Sequence, residues 1–289
     1  MSLRLSLIAL LFSALCPLAA HATRPVPEDK LAVQLYSLHP GVARNLPATL
    51  AQIKSMGLSR VELYPLPNRP AEGLRKALDD AGLTAIGAHV PLADLEASAL
   101  PATIERAKTL GAGYVGVAWI RPEGKSAPDA ADIDRVAALY NAACPVLQKA
   151  GLGLMYHIHG YELTPGPDGT LFDRLMAATD PACVTVEMDT FWVAKSGADP
   201  VALLRRYPDR IRMLHLKDLR AGAARSENGQ ADKDDFAPVG EGSIDWPALV
   251  AAADGVQWFI LEDESAQAAE HLRRSLSWLR GEKAAAPAP

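Results

Sequence analysis

Four side chains able to hold a cation stand at or just beyond the ends of four short apolar runs. Glu162 follows the run from Leu154 to His159, Asp189 closes the run from Val184, His215 nearly closes the run from Ile211 to Leu216, and Glu262 follows Trp258-Phe259-Ile260-Leu261. Three carboxylates and one imidazole make an oxygen-rich set that suits a divalent cation (Mn, Mg, Zn, Co or Fe) and does not choose among them. An isolated Asp or Glu in such a place is more often a helix cap or a surface ion pair. Four at one level are what point to a metal site and to an enzyme. Alternation along Val184–Asp189 puts Glu187 on the same side as Asp189 but one layer deeper, where packing or support of a ligand is its expected role.

Other strand ends supply candidates for substrate contact. Glu62 in Val61-Glu62-Leu63 and His89 in Ala88-His89-Val90 could reach substrate hydroxyls or orient a bound water; structural hydrogen bonding is the other reading. His39 is weaker, because Pro40-Gly41 marks a turn that could point it away. Tyr36, Trp119 and Trp192 could wall the apolar face of a sugar ring, or be ordinary core. Lys217 could stabilise a developing oxyanion with Asp218 anchoring it; an ion pair closing a loop is the alternative.

These positions require a scaffold that brings strand ends together. Extended runs are expected at Leu31–Leu38, Arg60–Tyr64, Thr84–Val90, Tyr114–Ile120, Leu154–His159, Val184–Asp189, Ile211–Leu216 and Trp258–Leu261. Helical patterns follow them at Leu46–Met56, Pro70–Ala81, Leu95–Leu110, Ala131–Ala150, Leu171–Ala178, Pro200–Tyr207, Ile244–Ala253 and Ala266–Trp278. Eight even strand–helix units argue for an α/β fold, a (β/α)₈ TIM barrel, whose ligands gather at the C-terminal ends of the strands. A doubly wound sheet is the alternative, but no Gly-rich dinucleotide loop follows the first strand. The long polar stretch from Asp218 to Ser243 is expected to be a mobile cover over the substrate.

Composition fits one large exported domain. Residues 1–22 read as a secretory signal peptide: Arg4, an apolar run from Leu5 to Ala20, and Ala20-His21-Ala22 as cleavage site. Leu15 before Cys16 is too large for a usual lipoprotein signal, and the run is short for a stop-transfer helix, so no stable membrane insertion is expected after cleavage. The domain is expected over 23–281, with 282–289 as a disordered tail. Hydrophobic residues make up 49% and charged residues 22% of the 289, which places the chain among globular proteins. A net charge of -5 and the lack of a basic block speak against nucleic acid as partner. Cys144 in a helical pattern and Cys183 at a strand start read as two buried thiols in preference to a bridge.

The sequence resembles the xylose isomerase-like TIM barrel superfamily, the sugar phosphate isomerases/epimerases, over nearly the whole domain. The marks are Val61-Glu62-Leu63, Tyr156-His157-Ile158-His159-Gly160-Tyr161-Glu162, Asp189-Thr190-Phe191-Trp192, His215-Leu216-Lys217-Asp218, and Val239-Gly240-Glu241-Gly242 before Trp246. The resemblance implies metal ligands at Asp189, His215 and Glu262, with Glu162 preferred to His157 for the fifth-strand place and His157 left as a substrate contact. It implies a metal-dependent sugar isomerase or epimerase working through an enediolate, with Glu162, Glu262 and Lys217 as catalytic groups; the expected leader and the lack of a phosphate cradle after strands seven and eight point to a small unphosphorylated sugar or polyol as its substrate. A lyase or hydrolase of 3-keto-glycosides is the first alternative, and a non-catalytic carbohydrate-binding barrel the second.

Overall fold

The computed structural model describes residues 26–282 apart from Arg121, Ser126, Pro167 and Asp168. The leader expected over 1–22 and the tail beyond Glu282 lie outside the described residues. Eight parallel strands close into a barrel: β1 (Leu31–Gln34), β2 (Arg60–Leu63), β3 (Thr84–His89), β4 (Tyr114–Val117), β5 (Gly153–His157), β6 (Val184–Asp189), β7 (Ile211–Leu216) and β8 (Trp258–Leu261). Each pairs with its sequence neighbours, and β8 pairs with β1 through Leu31–Phe259 and Ala32–Ile260. The helices packed outside are α1 (Leu46–Ser55), α2 (Ala71–Asp80), α3 (Leu100–Leu110), α4 (Ala130–Lys149), α5 (Leu171–Ala178), α6 (Pro200–Arg206), α7 (Trp246–Ala252) and α8 (Ala268–Leu279). The (β/α)₈ expectation is therefore met.

Local chemistry explains where the helices begin. Pro occupies the first turn of α1, α3, α6 and α7, where its missing N–H costs nothing. Asp129 with Asp132, and Thr170 with Asp173, form reciprocal caps at the starts of α4 and α5. Gly111 ends α3 at φ +73°, a left-handed conformation that favours glycine.

Alternation sorts each strand's residues between two cores. Val33, Val61, Val115, Leu154, Val186 and Leu214 face the helices in the main hydrophobic layer. Ala32, Ile86, Met155, Met213 and Ile260 fill the barrel interior as a smaller apolar layer, with Tyr114 and Trp258 packed against it. Room for Met155 comes from Gly116, where an added Cβ would lie 2.6 Å from its terminal methyl. Above this plug, toward the C-terminal strand ends, the inward positions turn polar.

Several boundaries differ from the sequence expectation. The first extended run stops at Gln34, whose side chain accepts from the Tyr36 N–H and starts a 3₁₀ turn over Leu35–Leu38, followed by a short helix at His39–Arg44. The fifth run stops at His157, because Gly160 turns the chain at φ +88° into a 3₁₀ turn at Tyr161–Leu163. Cys144 and Cys183 are bridged, with Cα atoms 5.9 Å apart, which corrects the two-thiol reading. Cys144 lies on the buried side of α4 and Cys183 just before β6, so helix-to-sheet packing brings them within reach.

The stretch from Asp218 to Ser243 is tied down at both ends. Asp218-Leu219 pairs antiparallel with Phe236-Ala237. Asp218 also accepts hydrogen bonds from the N–H groups of Gly240 and Gly242 at 3.0 Å and from the Trp246 indole at 2.6 Å. The buried pair Lys195–Asp235, at 2.6 Å, fastens the segment to a short helix at Thr190–Ser196.

Candidate active site

The polar layer above the plug is built from inward residues near the ends of six strands, β1, β2, β3, β5, β6 and β7. Gln34, Glu62, His89, His157, Glu187 and His215 form one connected set, all under 8% exposed. Gln34 donates to Glu62 Oε2 at 2.8 Å, and His215 Nε2 meets the same oxygen at 2.7 Å. Glu187 Oε2 accepts from His89 Nε2 and His157 Nδ1, each at 2.8 Å. Glu187 thus does more than pack: it fixes the orientation of two imidazoles at once.

A second tier lies on top of the first. Asp189 Oδ1 caps the Thr190–Ser196 helix by accepting from the Trp192 N–H, which leaves Oδ2 facing Lys217 Nζ at 2.9 Å. Lys217 Nζ also meets Glu262 Oε2 at 2.9 Å and Glu264 Oε1 at 2.8 Å. His215 Nδ1 lies 2.8 Å from Glu262 Oε2. The Lys217 partners are these three carboxylates; Asp218, expected to anchor the ammonium, is committed to the loop instead.

Burial and charge compete throughout. Burial disfavours the His215 imidazolium and the Lys217 ammonium, but the surrounding carboxylates outweigh it and hold both well above their ordinary pKa. Burial disfavours ionisation of Glu187 and Glu262 too, yet facing cations bring both well below the carboxylate range. Burial dominates for His157, whose pKa falls to about 4, and raises Glu62 to about 7 and Asp189 to about 6. Glu62, Glu187, Asp189, Glu262 and Glu264 are five carboxylates against one ammonium. The excess is balanced by protons on histidine and on the raised Glu62 and Asp189 carboxyls, or by a further cation.

The donor set fits a divalent metal. Asp189, His215 and Glu262 offer ligand atoms that all lie within 4.8 Å of one another. His157 Nε2 is 3.8 Å from Asp189 Oδ2. Two imidazoles have one ring nitrogen held by a carboxylate beneath, Glu62 for His215 and Glu187 for His157. Their other nitrogens point toward the Asp189–Glu262 tier. A carboxylate behind each imidazole is how ligating histidines are oriented. Lys217 competes for the same Asp189 and Glu262 oxygens, so metal binding requires its ammonium to give way toward Glu264.

Glu162 stands apart from this set. Its Oε1 accepts from the Tyr156 hydroxyl at 2.8 Å and the His159 N–H at 2.9 Å. Tyr156 faces the helices, packed near Tyr140 and Phe172, so Glu162 is turned to the outer side of β5. The geometry thus brings His157, and not the preferred Glu162, beside Asp189 and His215, and places Glu162 outside the cluster that its expected metal and catalytic roles require. Glu162 follows the Gly160 turn, which carries it off the inward row that Met155 and His157 share.

Over the two tiers opens a cavity of about 480 Å³. Gln34, His89, His157, His215, Lys217 and Glu262 contribute to its polar wall, and Tyr36, Trp119 and Trp192 line it too. Tyr64, His159, Gln230, Phe236 and Glu264 are further lining residues. Glu62 and Glu187 lie beneath, holding imidazoles that do reach the cavity. Gln34 is a polar residue closing an apolar strand, the signal that found Asp189. Glu264 has no such signal, since it lies in the loop after β8.

A family model described as xylose isomerase-like TIM barrel matches residues 50–282. Inosose dehydratase of Geobacillus kaustophilus is 34% identical over 139 residues, 45% of this chain and 44% of that protein, so less than half of the relative's length is matched. A sugar phosphate isomerase/epimerase from Parabacteroides distasonis superposes with a TM-score of 0.69 at 22% identity, covering 88% of this chain and 96% of that one. The IolI protein with a zinc atom superposes at 0.64 and 14% identity, over 87% of this chain and 98% of its own. Likeness at these identities establishes the fold alone. The expected isomerase or epimerase activity is not upheld, because the curated relatives are named for a dehydratase, which is a lyase. The fold, the matched family model and these sugar-modifying relatives lead to one conclusion: the chain belongs to the xylose isomerase-like TIM barrel family.

Proposed function

We propose that the protein is a metal-assisted lyase that eliminates a leaving group from a keto-sugar or keto-polyol. The observation that carries this reading is the two-tier floor, where carboxylate-backed imidazoles face a carboxylate pair and a charged lysine under a cavity of sugar size or larger. The dehydratase relatives support the reaction type. His157, Asp189, His215 and Glu262 would hold the cation, which would polarise the substrate ketone and stabilise negative charge on its oxygen.

The chain's own groups divide the remaining work. Glu262 and Glu264 are the carboxylates lining the cavity. Glu262 is shared among Lys217, His215 and the ligand set, whereas the Glu264 carboxylate meets Lys217 alone and through one oxygen, so Glu264 is assigned as the base that removes the proton next to the ketone. Lys217, kept charged, stabilises the developing enolate oxygen. The carbon–hydrogen pair of electrons forms a carbon–carbon double bond, the neighbouring carbon–oxygen bond breaks, and the hydroxyl leaves as water with the proton taken by Glu264. Incubation of Mn- or Zn-loaded protein with an inosose should yield a product one water lighter, seen by mass spectrometry. Unchanged inosose at full metal loading would contradict the reading.

We further propose that the protein works outside the cytoplasm. The Cys144–Cys183 bridge supports this, since such bridges persist in oxidising compartments, and it agrees with the leader read from residues 1–22. Fractionation of cells making the full chain tests it: recovery of the bridged protein only in the cytoplasm would count against it.

A further inference from the structure

The loop after β8 holds a buried polar group that the site described above does not use. Asp263 on the loop and His271 on α8 are both buried. Asp263 Oδ2 accepts from His271 Nδ1 at 2.8 Å. Its Oδ1 accepts from the Ser265 N–H at 2.8 Å and from the Ser265 hydroxyl. Ser265 Oγ in turn accepts from the Gln267 N–H, where the chain enters α8. Serine, histidine and aspartate so close together invite comparison with a hydrolytic triad, but their order is wrong for one. Ser265 Oγ lies 3.3 Å from Nδ1, the nitrogen that Asp263 already holds, so the ring does not stand between acid and hydroxyl to pass a proton. None of the three lines the cavity.

Their place in the chain gives them another use. Asp263 stands between Glu262, in the ligand set, and Glu264, the assigned base, so its backbone sets where both carboxylates start. The loop also stands at the seam of the barrel. Every other pair of neighbouring strands is joined by a helix-bearing connection, whereas β8 and β1 are the two ends of the sheet, last paired at Leu261 and Val33. Two residues past Leu261, the Asp263 N–H donates to Ser37 Oγ at 3.1 Å. Ser37 is buried in the 3₁₀ turn that also carries Tyr36 to the cavity. Thus α8 holds the loop from outside, and the turn after β1 holds it across the seam. A buried carboxylate with both oxygens engaged keeps one arrangement, because leaving a partner unmet there is costly.

We propose that Asp263 and His271 are positioning residues, which clamp the loop at the β1–β8 seam and set the spacing of the Glu262 and Glu264 carboxylates. Lys217 Nζ registers that spacing, meeting Glu262 at 2.9 Å and Glu264 at 2.8 Å. Metal affinity depends on the first carboxylate and proton removal on the second. The inference rests on the lyase reading for the role of Glu264 and on the proposed ligand set for that of Glu262.

Metal binding and turnover test it separately. In His271→Ala, calorimetry of metal-stripped protein should show Mn²⁺ bound about tenfold or more weakly, the scale for losing a group that supports a ligand. Turnover of an inosose by the Mn-loaded variant should lose about tenfold or more in kcat, since a small misplacement of a reacting group is enough for that. KM should stay close to the wild-type value, because neither residue lines the cavity. His271→Asn, whose amide nitrogen falls near the place of Nδ1, should recover most of both losses. Wild-type Mn²⁺ affinity and kcat in a His271→Ala protein that has lost only thermal stability would overturn the clamp. A raised KM with kcat unchanged, or a His271→Asn protein as impaired as His271→Ala, would do the same. If His271→Ala does not fold, Ser37→Ala removes the seam bond alone and should show the same split in smaller measure; wild-type values there would overturn the clamp. Weaker Mn²⁺ binding by the variant, with no turnover even by the wild type, would uphold the clamp and remove the lyase reading instead.

Discussion

Asp189 uses its two oxygens for different purposes, one capping a helix and the other facing Lys217, Glu262 and the imidazoles. Asp189→Asn keeps the cap acceptor but removes the charge. Metal content and turnover should fall together, turnover by at least about a hundredfold, with little loss of apo-protein stability. Normal metal content by elemental analysis would remove Asp189 from the centre. Glu162 makes a contrasting case. Burial raises its carboxyl to about 7 from 4.5, so the folded chain binds a proton more tightly than the unfolded chain between those values. Stability on its account is full below about pH 4.5 and is lost as pH rises through 7. Glu162→Gln lacks this titration, so its stability relative to wild type should improve between about pH 5 and pH 8. Parallel denaturation profiles across that range would contradict the assignment. Asp189, His215 and Glu262 were legible as residues that end apolar runs. Glu162 was misplaced because its position depends on a turn at Gly160, which sequence spacing does not encode.

Two links between elements carry consequences of their own. The Cys144–Cys183 bridge closes a loop of 39 residues between α4 and β6. Chain entropy gives such a closure about 4 kcal/mol at most, and measured values commonly fall to about 2. Replacing both cysteines by alanine should lower the urea unfolding free energy within that span; no change would mean that the bridge constrains nothing. Lys195–Asp235 fastens the loop that brings Phe236 to the cavity. Lys195→Met leaves buried Asp235 with only the exposed Arg220, at 3.7 Å, as a cation, so the cost should lie below the about 3–5 kcal/mol of a buried pair broken outright. The loss should appear as faster proteolysis within 219–243 and a raised KM. Unaltered cleavage and KM would show that the loop's other contacts, those of Asp218 and of Lys233 with the Glu264 carbonyl among them, hold it without the pair. Helix and strand order was legible from periodicity and from Pro and Gly punctuation. The short helices at 39–44 and 190–196 were not, because each depends on a contact distant in sequence: Arg69 on the Val42 carbonyl for the first, and Thr190 on the His215 and Lys217 carbonyls for the second. The pairing of 218–219 with 236–237 was not legible either, since its partners are distant in sequence.

At the scale of the molecule, a closed barrel brings polar residues from β1, β2, β3, β5, β6, β7 and the loop after β8 to one end, above a buried apolar plug. Eight strand–helix units made the barrel legible. The depth at which each inward residue sits was less so, because barrel closure and the register shifts near Val61 and Val186 set it. Those shifts help bring Glu62 and Glu187 under His215 and His157. The central claim is that the two-tier floor is a metal-dependent site for elimination from a keto-sugar. The most direct measurement follows loss of water from an inosose by metal-stripped protein as Mn²⁺ or Zn²⁺ is titrated back. Turnover should rise in proportion to bound metal and level off at one ion per chain, and the Asp189→Asn protein should stay inactive throughout. Full turnover by stripped protein, or one bound ion per chain with no loss of water, would contradict it.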